Sequence, residues 1–302
     1  MSTQRVVVGV DGSPVSFAAL DVAAAEAGRR AGSLEVITCV GGLDEPGPVL
    51  RAAQERVAVR HPGLSVRLWP AVGDPADVLV DRGRDAGLVV VGSRGIGGVA
   101  ALLMRSVSRR VAARTRAPLL VVRGTDPRDA ARGRGTGPVL LGLESDGDLD
   151  AALFAFEEAE LRGTGLEVLH AWTYREAVPP SPGAPAAEPV REHVGEAVHE
   201  PVHEPVHEPV REAVARQASA AAELPRGFVA PLRRHFPHLA VETRSVRSTP
   251  CRALIAATSG AQLVVIAAHR RAHRPGVQLG PVTEALLHHA HCPVAVVPTP
   301  AL

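Results

Sequence analysis

The stretch "VGSRGIGGVAALLMRSVS", from Val91 to Ser108, has the residue types and spacing of an anion-binding loop. It follows the apolar, β-branched run from Leu88 to Val91 and leads into a segment with helical spacing, so its four glycines fall at a strand-to-helix turn. Glycines let a backbone come close to a phosphate, and the amides and dipole at a helix N-terminus favour negative charge. The stretch therefore predicts a phosphate-binding loop.

Lysine is absent from the chain, and all 33 basic residues are arginines. A Walker A loop needs a lysine on the β and γ phosphates, and a protein kinase needs one on its third strand. Schiff-base chemistry likewise needs a primary amine. These three kinds of phosphate or carbonyl chemistry are therefore excluded.

The composition excludes several other classes of protein. A formal net charge of +1 gives no electrostatic basis for binding nucleic acid or an anionic membrane surface. The longest apolar runs, such as "LVVIAA", are too short to cross a bilayer, and the start "MSTQR" lacks the apolar core of a signal peptide. Three scattered cysteines without a CxxC pair suit a reducing compartment. We therefore expect a cytoplasmic protein.

The chain contains an internal repeat. "LWPAVGDPADVLVDRGRDAGLVVVGSRG" aligns with "TRSVRSTPCRALIAATSGAQLVVIAAHR", so that Pro75 matches Pro250 at an offset of 175. Nearer the start, Gly9 matches Gly142 at an offset of 133, and "LEVITCV" matches "LEVLHAW" at 132. The chain is therefore a tandem duplication.

Each half alternates short β-branched runs with amphipathic stretches, which is typical of βαβ units and a parallel sheet. The predicted fold class is α/β, with two tandem, doubly wound, five-stranded parallel sheets of Rossmann-like type. In the first half the predicted strands are Arg5 to Val10, Leu34 to Val40, Leu64 to Trp69, Gly87 to Val91 and Pro118 to Val122. The predicted helices are Ser16 to Arg30, Pro75 to Arg84 with Asp74 as N-cap, and Val99 to Thr115.

These elements define two domains, residues 1–126 and 138–302, joined by an exposed linker over residues 127–137 that is rich in glycine and charge. The final strands, Leu119 to Val122 and Val294 to Val297, are apolar on both faces. They would be exposed sheet edges unless they pair with each other. We expect the two halves to pack through them, and a homodimer remains a further option.

An insertion of about 177–215 interrupts the second half, where valine recurs every fourth residue from Val190 to Val214. One interpretation is a helix face on which His199, His203 and His207 stack as metal ligands. Prolines at 201, 205 and 209 oppose a helix, because each removes a backbone donor and clashes with the preceding turn. The favoured interpretation is a solvated, extended or partly helical tether without a metal site.

Two signals of the first half converge on one crevice. Asp11 in "VGVDGS" follows the first predicted strand, and Gly92 and Gly95 follow the fourth. In a doubly wound sheet the carboxyl ends of these strands flank the topological switch point, where ligands bind. The sequence therefore predicts a ligand site at this edge of the sheet.

The pattern "VVVGVDGS", "GDPADVLV", "LVVVGSRG" and "APLLVVR" resembles the universal stress protein family, over both halves apart from the insertion. The nucleotide-binding branch of that family carries G-x-x-G, nine residues, then G-[ST]; here Gly92-Ser93-Arg94-Gly95 is followed by nine residues and Arg105-Ser106. The resemblance implies an adenine nucleotide alpha-hydrolase-like fold with pseudo-twofold related halves, and ATP with Mg²⁺ as ligand. It implies contacts from Asp11 to the adenosine and from Val40 to the base, with phosphates held by Gly92, Arg94, Gly95, Ile96, Ser106, Val107 and Ser108.

The chain also departs from the family motif. Arg105 stands where the motif has glycine, so its side chain either clashes with a triphosphate or pairs with it. Changing Arg105 to glycine would tighten ATP binding in the first case and weaken it in the second. In the second half Ala267, Arg270 and Pro281 replace the matching loop residues and Glu144 replaces Asp11, so we expect only the first half to bind nucleotide.

Two functions from different classes follow. The first is a stress-response protein that binds ATP in its first half as a regulatory ligand, with at most slow hydrolysis and no assigned catalytic residue. The second is a nucleotide-independent scaffold that recruits a protein partner. An adenine-nucleotide enzyme of a related α/β class is disfavoured, because the sequence shows no acceptor site.

Overall fold

The computed structural model describes residues 5–40, 47–93, 106–123, 137–174, 208–268 and 279–299. Ten strands form a single sheet in the order β3-β2-β1-β4-β5-β10-β9-β6-β7-β8. They are β1 (Arg5–Gly9), β2 (Ser33–Val40), β3 (Ser65–Val72), β4 (Leu88–Ser93), β5 (Leu119–Arg123), β6 (Val139–Leu143), β7 (Leu166–Trp172), β8 (Val241–Arg247), β9 (Leu263–Ala268) and β10 (Val294–Pro298). Each half has the doubly wound order 3-2-1-4-5, which confirms the predicted fold class.

Eight α-helices cover the two faces of the sheet within the described residues. They are α1 (Pro14–Arg29), α2 (Gly47–Arg60), α3 (Pro75–Arg82), α4 (Val107–Arg114), α5 (Leu149–Arg162), α6 (Glu208–Arg233), α7 (Pro250–Ala257) and α8 (Pro281–His289). One apolar cluster lies under α1, α2, α5 and α6, and the other under α3, α4, α7 and α8. Central strands are buried on both sides, as expected of a covered parallel sheet.

The sequence does not predict helix α2. The predicted helix from Val99 to Thr115 is wrong at Ser106, which has a non-helical backbone and stands at the N-cap of α4, so that α4 begins at Val107; residues 99–105 lie outside the described residues. Asp74 does cap α3, because its Oδ1 accepts from the Ala76 and Asp77 amides at 2.9 and 3.2 Å. The predicted insertion overlaps the start of α6, while His199, His203 and His207 lie outside the described residues.

Each described helix is too short or too polar to cross a lipid bilayer.

The two halves are joined by their final strands, as predicted. Strands β5 and β10 run antiparallel, and Leu120 is in register with Ala295. These two residues occupy the same position of the repeat, since they differ by the offset of 175. Each therefore meets its own counterpart, and an approximate twofold axis passes between them.

The duplication is also visible in how each half packs. Gly9 on β1 lies so close to α3 that an added Cβ would be 2.9 Å from Leu79 Cδ1. Gly142 on β6 stands in the same relation to Leu254 of α7, at 3.0 Å. Both the glycines and the leucines are matched by the repeat, so the two halves use one packing solution at this point.

Charged side chains meet at the axis on one face of the sheet, and we call them the axial cluster: Glu26, Arg30, Glu158 and Arg162. Arg30 pairs with Glu26 and Glu158, and Arg162 pairs with the same two carboxylates. Both glutamates are buried, at 0% and 2% side-chain exposure. Since residues 26 and 158 and residues 30 and 162 are repeat equivalents, the cluster is symmetric about the axis.

On the opposite face, Arg109 of α4 pairs with Glu284 of α8. These two positions are again repeat equivalents, but here the two halves carry opposite charges. The pair is about one-third exposed on each side, so its energetic contribution is small. The Arg109–Glu284 pair lies close to the approximate twofold axis, on the face of the sheet opposite the axial cluster.

Candidate functional site

The structure places Asp11 in the turn between β1 and α1. The Val10 amide donates to the Ile37 carbonyl at 2.8 Å, so the chain stays attached to β2 up to the residue before Asp11. The exposed Asp11 carboxylate accepts from the Ser13 amide at 2.9 Å and from the Ser13 hydroxyl at 2.5 Å, both through Oδ1. These bonds orient the carboxylate at the rim of the crevice.

Gly92 lies near the end of the neighbouring strand β4, where it has a packing role that the sequence did not predict. A Cβ at this position would lie 2.7 Å from Val15 Cγ1 and 2.9 Å from the Val15 carbonyl oxygen. The first turn of α1 therefore packs directly on the β4 backbone. Gly92 is needed for this contact within the protein, apart from any contact with a phosphate.

The N-terminus of α4 has no side-chain cap among the described residues. Ser106 stands at the N-cap but makes no side-chain capping bond with the described residues, and its Oγ lies 2.8 Å from Ser108 Oγ. By contrast, Ser13 caps α1 and Asp74 caps α3 through their side chains. The amides that open α4 thus lack the intrinsic cap that the other two helices have.

The first turn of α4 is also basic, carrying Arg109 and Arg110 and no acidic residue. Positive charge is unfavourable at the positive end of a helix dipole. Part of it is offset by α3, because Arg110 Nη1 donates to Asp74 Oδ2 at 2.7 Å. This bond from Arg110 holds the pKa of the Asp74 carboxyl below its ordinary value. Because Arg109 and Arg110 are both paired with carboxylates, an anion bound at this helix end would gain mainly from the amides.

The end of β2 completes the crevice. Val40 is its last residue and is half-buried. Cys39 beside it is half-buried too, and burial, assisted by the charge of Asp74, raises the pKa of its thiol. The start of α3 lies near the end of β2, because Cys39 packs against the apolar cluster that contains Ala76 and Leu79 of α3. Sequence reasoning singled out Val40 through the family resemblance and missed Cys39 and its neighbour Thr38.

Six of the ten predicted site residues fall within the described part of the chain. Asp11, Val40 and Gly92 come together at one sheet edge because β1, β2 and β4 are adjacent parallel strands. Ser106, Val107 and Ser108 open the helix that leads on to β5. The remaining four lie outside the described residues: Arg94, Gly95, Ile96 and Arg105.

The second half differs at the same places. Glu144 follows β6, but its amide and that of Ser145 donate to Asp148 Oδ2 at 2.6 and 3.1 Å, within a short 3₁₀ turn. Trp172 stands at the position of Val40. Helix α8 begins with Pro281, which has no amide N–H to offer an anion. The second half therefore carries a larger side chain at the end of β7 and one fewer amide N–H at the start of α8 than the first half has at the equivalent positions.

Comparison with known families identifies the fold. The model of the universal stress protein family matches residues 2–123 and 136–298, so that both halves are covered. The chain belongs to the universal stress protein family. The predicted resemblance is thereby confirmed, and a universal stress protein domain accounts for each half of the duplication.

Tandem universal stress proteins of mycobacteria are similar along nearly their whole length. One from Mycobacterium tuberculosis is 29% identical over 318 residues, which covers 96% of this chain and 96% of the relative. One from Mycolicibacterium smegmatis is 28% identical over 314 residues, with coverage of 97% and 96%. The tandem arrangement is therefore shared with these relatives.

Solved structures show the same fold. A universal stress protein from Archaeoglobus fulgidus superposes with a TM-score of 0.58 at 14% identity, covering 99% of both chains. A universal stress protein in complex with cAMP matches 41% of this chain at 33% identity, with a TM-score of 0.37. The similarity to the first extends over the entire ten-stranded architecture.

Proposed function

We propose that this universal stress protein binds an adenine nucleotide, ATP with Mg²⁺, in its first half as a regulatory ligand in a stress response. The observation that supports this most directly is the helix α4, whose basic first turn has no side-chain cap among the described residues. It lies beside the carboxyl ends of β1, β2 and β4, at the switch point of a doubly wound sheet. Membership of the family supports the adenine nucleotide as the class of ligand.

Each described site residue has a role that suits a nucleotide. The Asp11 carboxylate can accept hydrogen bonds from two ribose hydroxyls, and its bond from Ser13 preorganises it for this. The amides of Val107 and Ser108 at the start of α4 can donate to phosphate oxygens. Because the chain has no lysine, amides and arginines carry the phosphate charge, and we expect hydrolysis to be slow at most.

The second half differs from the first at positions of the candidate site, which supports different roles for the two halves. Its Glu144 has a different hydrogen-bonded turn, and its last helix starts with a proline. We therefore assign nucleotide binding to the first half alone. The second half would complete the fold through β10 and present the surface by which the bound state is recognised.

Calorimetric titration of the full chain with ATP, ADP and AMP tests the proposal. Asp11→Ala should weaken ATP binding by about tenfold to a hundredfold, because it removes hydrogen bonds to a buried ligand group worth about 1.5–3 kcal/mol. The equivalent change Glu144→Ala is the matched control and should leave the affinity unchanged. If the wild-type chain binds none of the three nucleotides, the proposal fails and the nucleotide-independent scaffold is favoured.

A further inference from the structure

Thr38 carries a buried hydroxyl that has no hydrogen-bond partner among the described residues. The residue is 4% exposed, and its Oγ1 has no hydrogen-bond partner among the described residues. Within the described part of the first half, Thr38 Oγ1 is the one buried side-chain atom of this kind. An unpaired buried hydroxyl is costly and rare in native proteins, so it requires an explanation.

The position of Thr38 relates it to the crevice. Side chains alternate along a strand, so Thr38 lies on the same face of β2 as Val36, which packs under α1 and α2. It immediately follows Ile37, whose carbonyl holds the last residue before Asp11. Thr38 is thus next to the β1–α1 turn at the carboxyl end of the sheet.

Helix α2 forms the outer wall of this region. A Cβ at Gly12 would be 3.3 Å from Val49 Cγ2, so the first turn of α2 lies against the β1–α1 turn. Gly12 itself has a φ of +82°, a conformation that favours glycine. Thr38 therefore lies near one turn and one helix end, the parts of a fold that move most readily.

The second half shows what happens when this position is filled. The repeat equivalent of Thr38 is His170, whose Nδ1 lies 3.0 Å from the Leu143 carbonyl oxygen. Leu143 is in turn the equivalent of Val10. The imidazole of His170 therefore has a hydrogen-bond partner within the second half. The half with the uncapped helix α4 keeps a small side chain and an unpaired hydroxyl.

We infer that Thr38 is a specificity-determining residue whose hydroxyl hydrogen-bonds the base of the nucleotide bound in the first half. This inference rests on the proposed function. A hydroxyl both donates and accepts, which suits the edge of a purine that carries a ring nitrogen beside an exocyclic group. Because the hydroxyl is shielded from solvent, the base reaches it when the first turn of α2 moves away from Gly12.

Thr38→Val is the first test, since valine keeps the shape and removes the hydroxyl. We expect ATP affinity in calorimetry to fall about fivefold, while inorganic triphosphate, which has no base, binds as it does to the wild type. The melting temperature should stay the same or rise, because an unpaired buried polar group is removed. An unchanged ATP affinity together with a raised melting temperature would show that Thr38 is only a core residue.

A reciprocal exchange between the halves is the second test. Thr38→His installs the side chain that the chain itself uses at the equivalent position, and should reduce ATP affinity more than tenfold by occupying the place of the base. His170→Thr is its matched control and should leave ATP affinity unchanged. Full ATP affinity in a folded Thr38→His chain would overturn the inference.

The outcomes separate this inference from the function on which it rests. If the wild type binds no adenine nucleotide, the proposed function itself has failed. If the wild type and Thr38→Val bind ATP equally while Asp11→Ala does not, the nucleotide site stands and the role of Thr38 is wrong. Hydrogen exchange of α2 gives an independent readout, because ATP should change the protection of its first turn in the wild type.

Discussion

Arg30 is one of the two arginines of the axial cluster, and like Arg162 it pairs with both buried carboxylates, one from each half. We expect Arg30→Ala to lower the free energy of unfolding by about 3–5 kcal/mol, since it leaves buried carboxylates short of a cation. Arg226 pairs with Glu223 on the exposed surface of α6, so Arg226→Ala is the control and should cost less than about 1 kcal/mol. Urea denaturation measures both, and equal small losses would contradict a structural role for the cluster.

The same cluster should make stability depend on pH. Burial raises the pKa of the Glu158 carboxyl above its ordinary value, and the charge of Glu26 raises it further. A raised pKa in the folded state means that the fold holds the proton more tightly than the unfolded chain. The contribution of the Glu158 carboxyl to the free energy of unfolding is therefore present at low pH. It is lost as the pH rises through the pKa that this carboxyl has in the folded state.

Glu158→Gln should accordingly gain melting temperature relative to the wild type as the pH is raised from about 4 to 8. Thermal scans across that range provide the measurement. The exposed Glu223→Gln is the control and should show no such trend. A difference between Glu158→Gln and wild type that is independent of pH would refute the raised pKa.

Among single residues, the sequence predicted part of the candidate site. Asp11 could be placed at the end of β1 because the preceding run is apolar and β-branched, and the structure puts it there. The unpaired hydroxyl of Thr38 had no sequence signal, since a threonine in a strand is ordinary. The axial cluster was also missed, because the repeat shows which residues are equivalent but not which equivalents meet.

Among the structural elements, the contact between β4 and α1 gives a direct prediction. Gly92→Ala should destabilise the chain by about 1–3 kcal/mol, because the new Cβ would overlap Val15 and push α1 off the sheet. The equivalent position already carries Ala267, so Ala267→Gly is the reverse control and should cost about 1 kcal/mol or less. Chemical denaturation checks both. A neutral Gly92→Ala would mean that α1 can shift freely.

The elements were predicted well where the apolar pattern is strong and poorly where it is not. Strand β1 and the final strands were located within a residue, because their central residues form unbroken apolar runs that are fully buried. Helix α2 was missed because its buried side presents only Leu50, Ala53 and Val57, and a proline-rich stretch precedes it. Strand β3 extends through Pro70 to Val72, which an edge strand tolerates.

For the molecule as a whole, the β5–β10 junction should decide whether the halves remain together. Val121 and Val296 are fully buried there, one on each side of the axis. Val121→Asp combined with Val296→Asp should separate the halves, because two unpaired carboxylates would be buried. Small-angle scattering should then show a larger radius of gyration and thermal scans a lower melting temperature. The alanine pair is the control, and an unchanged radius in the aspartate pair would disprove the role of the junction.

The Arg109–Glu284 pair has a consequence for how such a molecule can evolve. In an assembly of two identical chains, every position on a twofold axis faces a copy of itself, so an arginine there would meet an arginine and a glutamate a glutamate. A single chain that contains both halves is free of that restriction, because each copy can mutate alone. The opposite charges at positions 109 and 284 could therefore not arise at an axis between two identical chains. Covalent linkage also keeps the two halves together at any dilution, so one half can lose a ligand site while it continues to support the other.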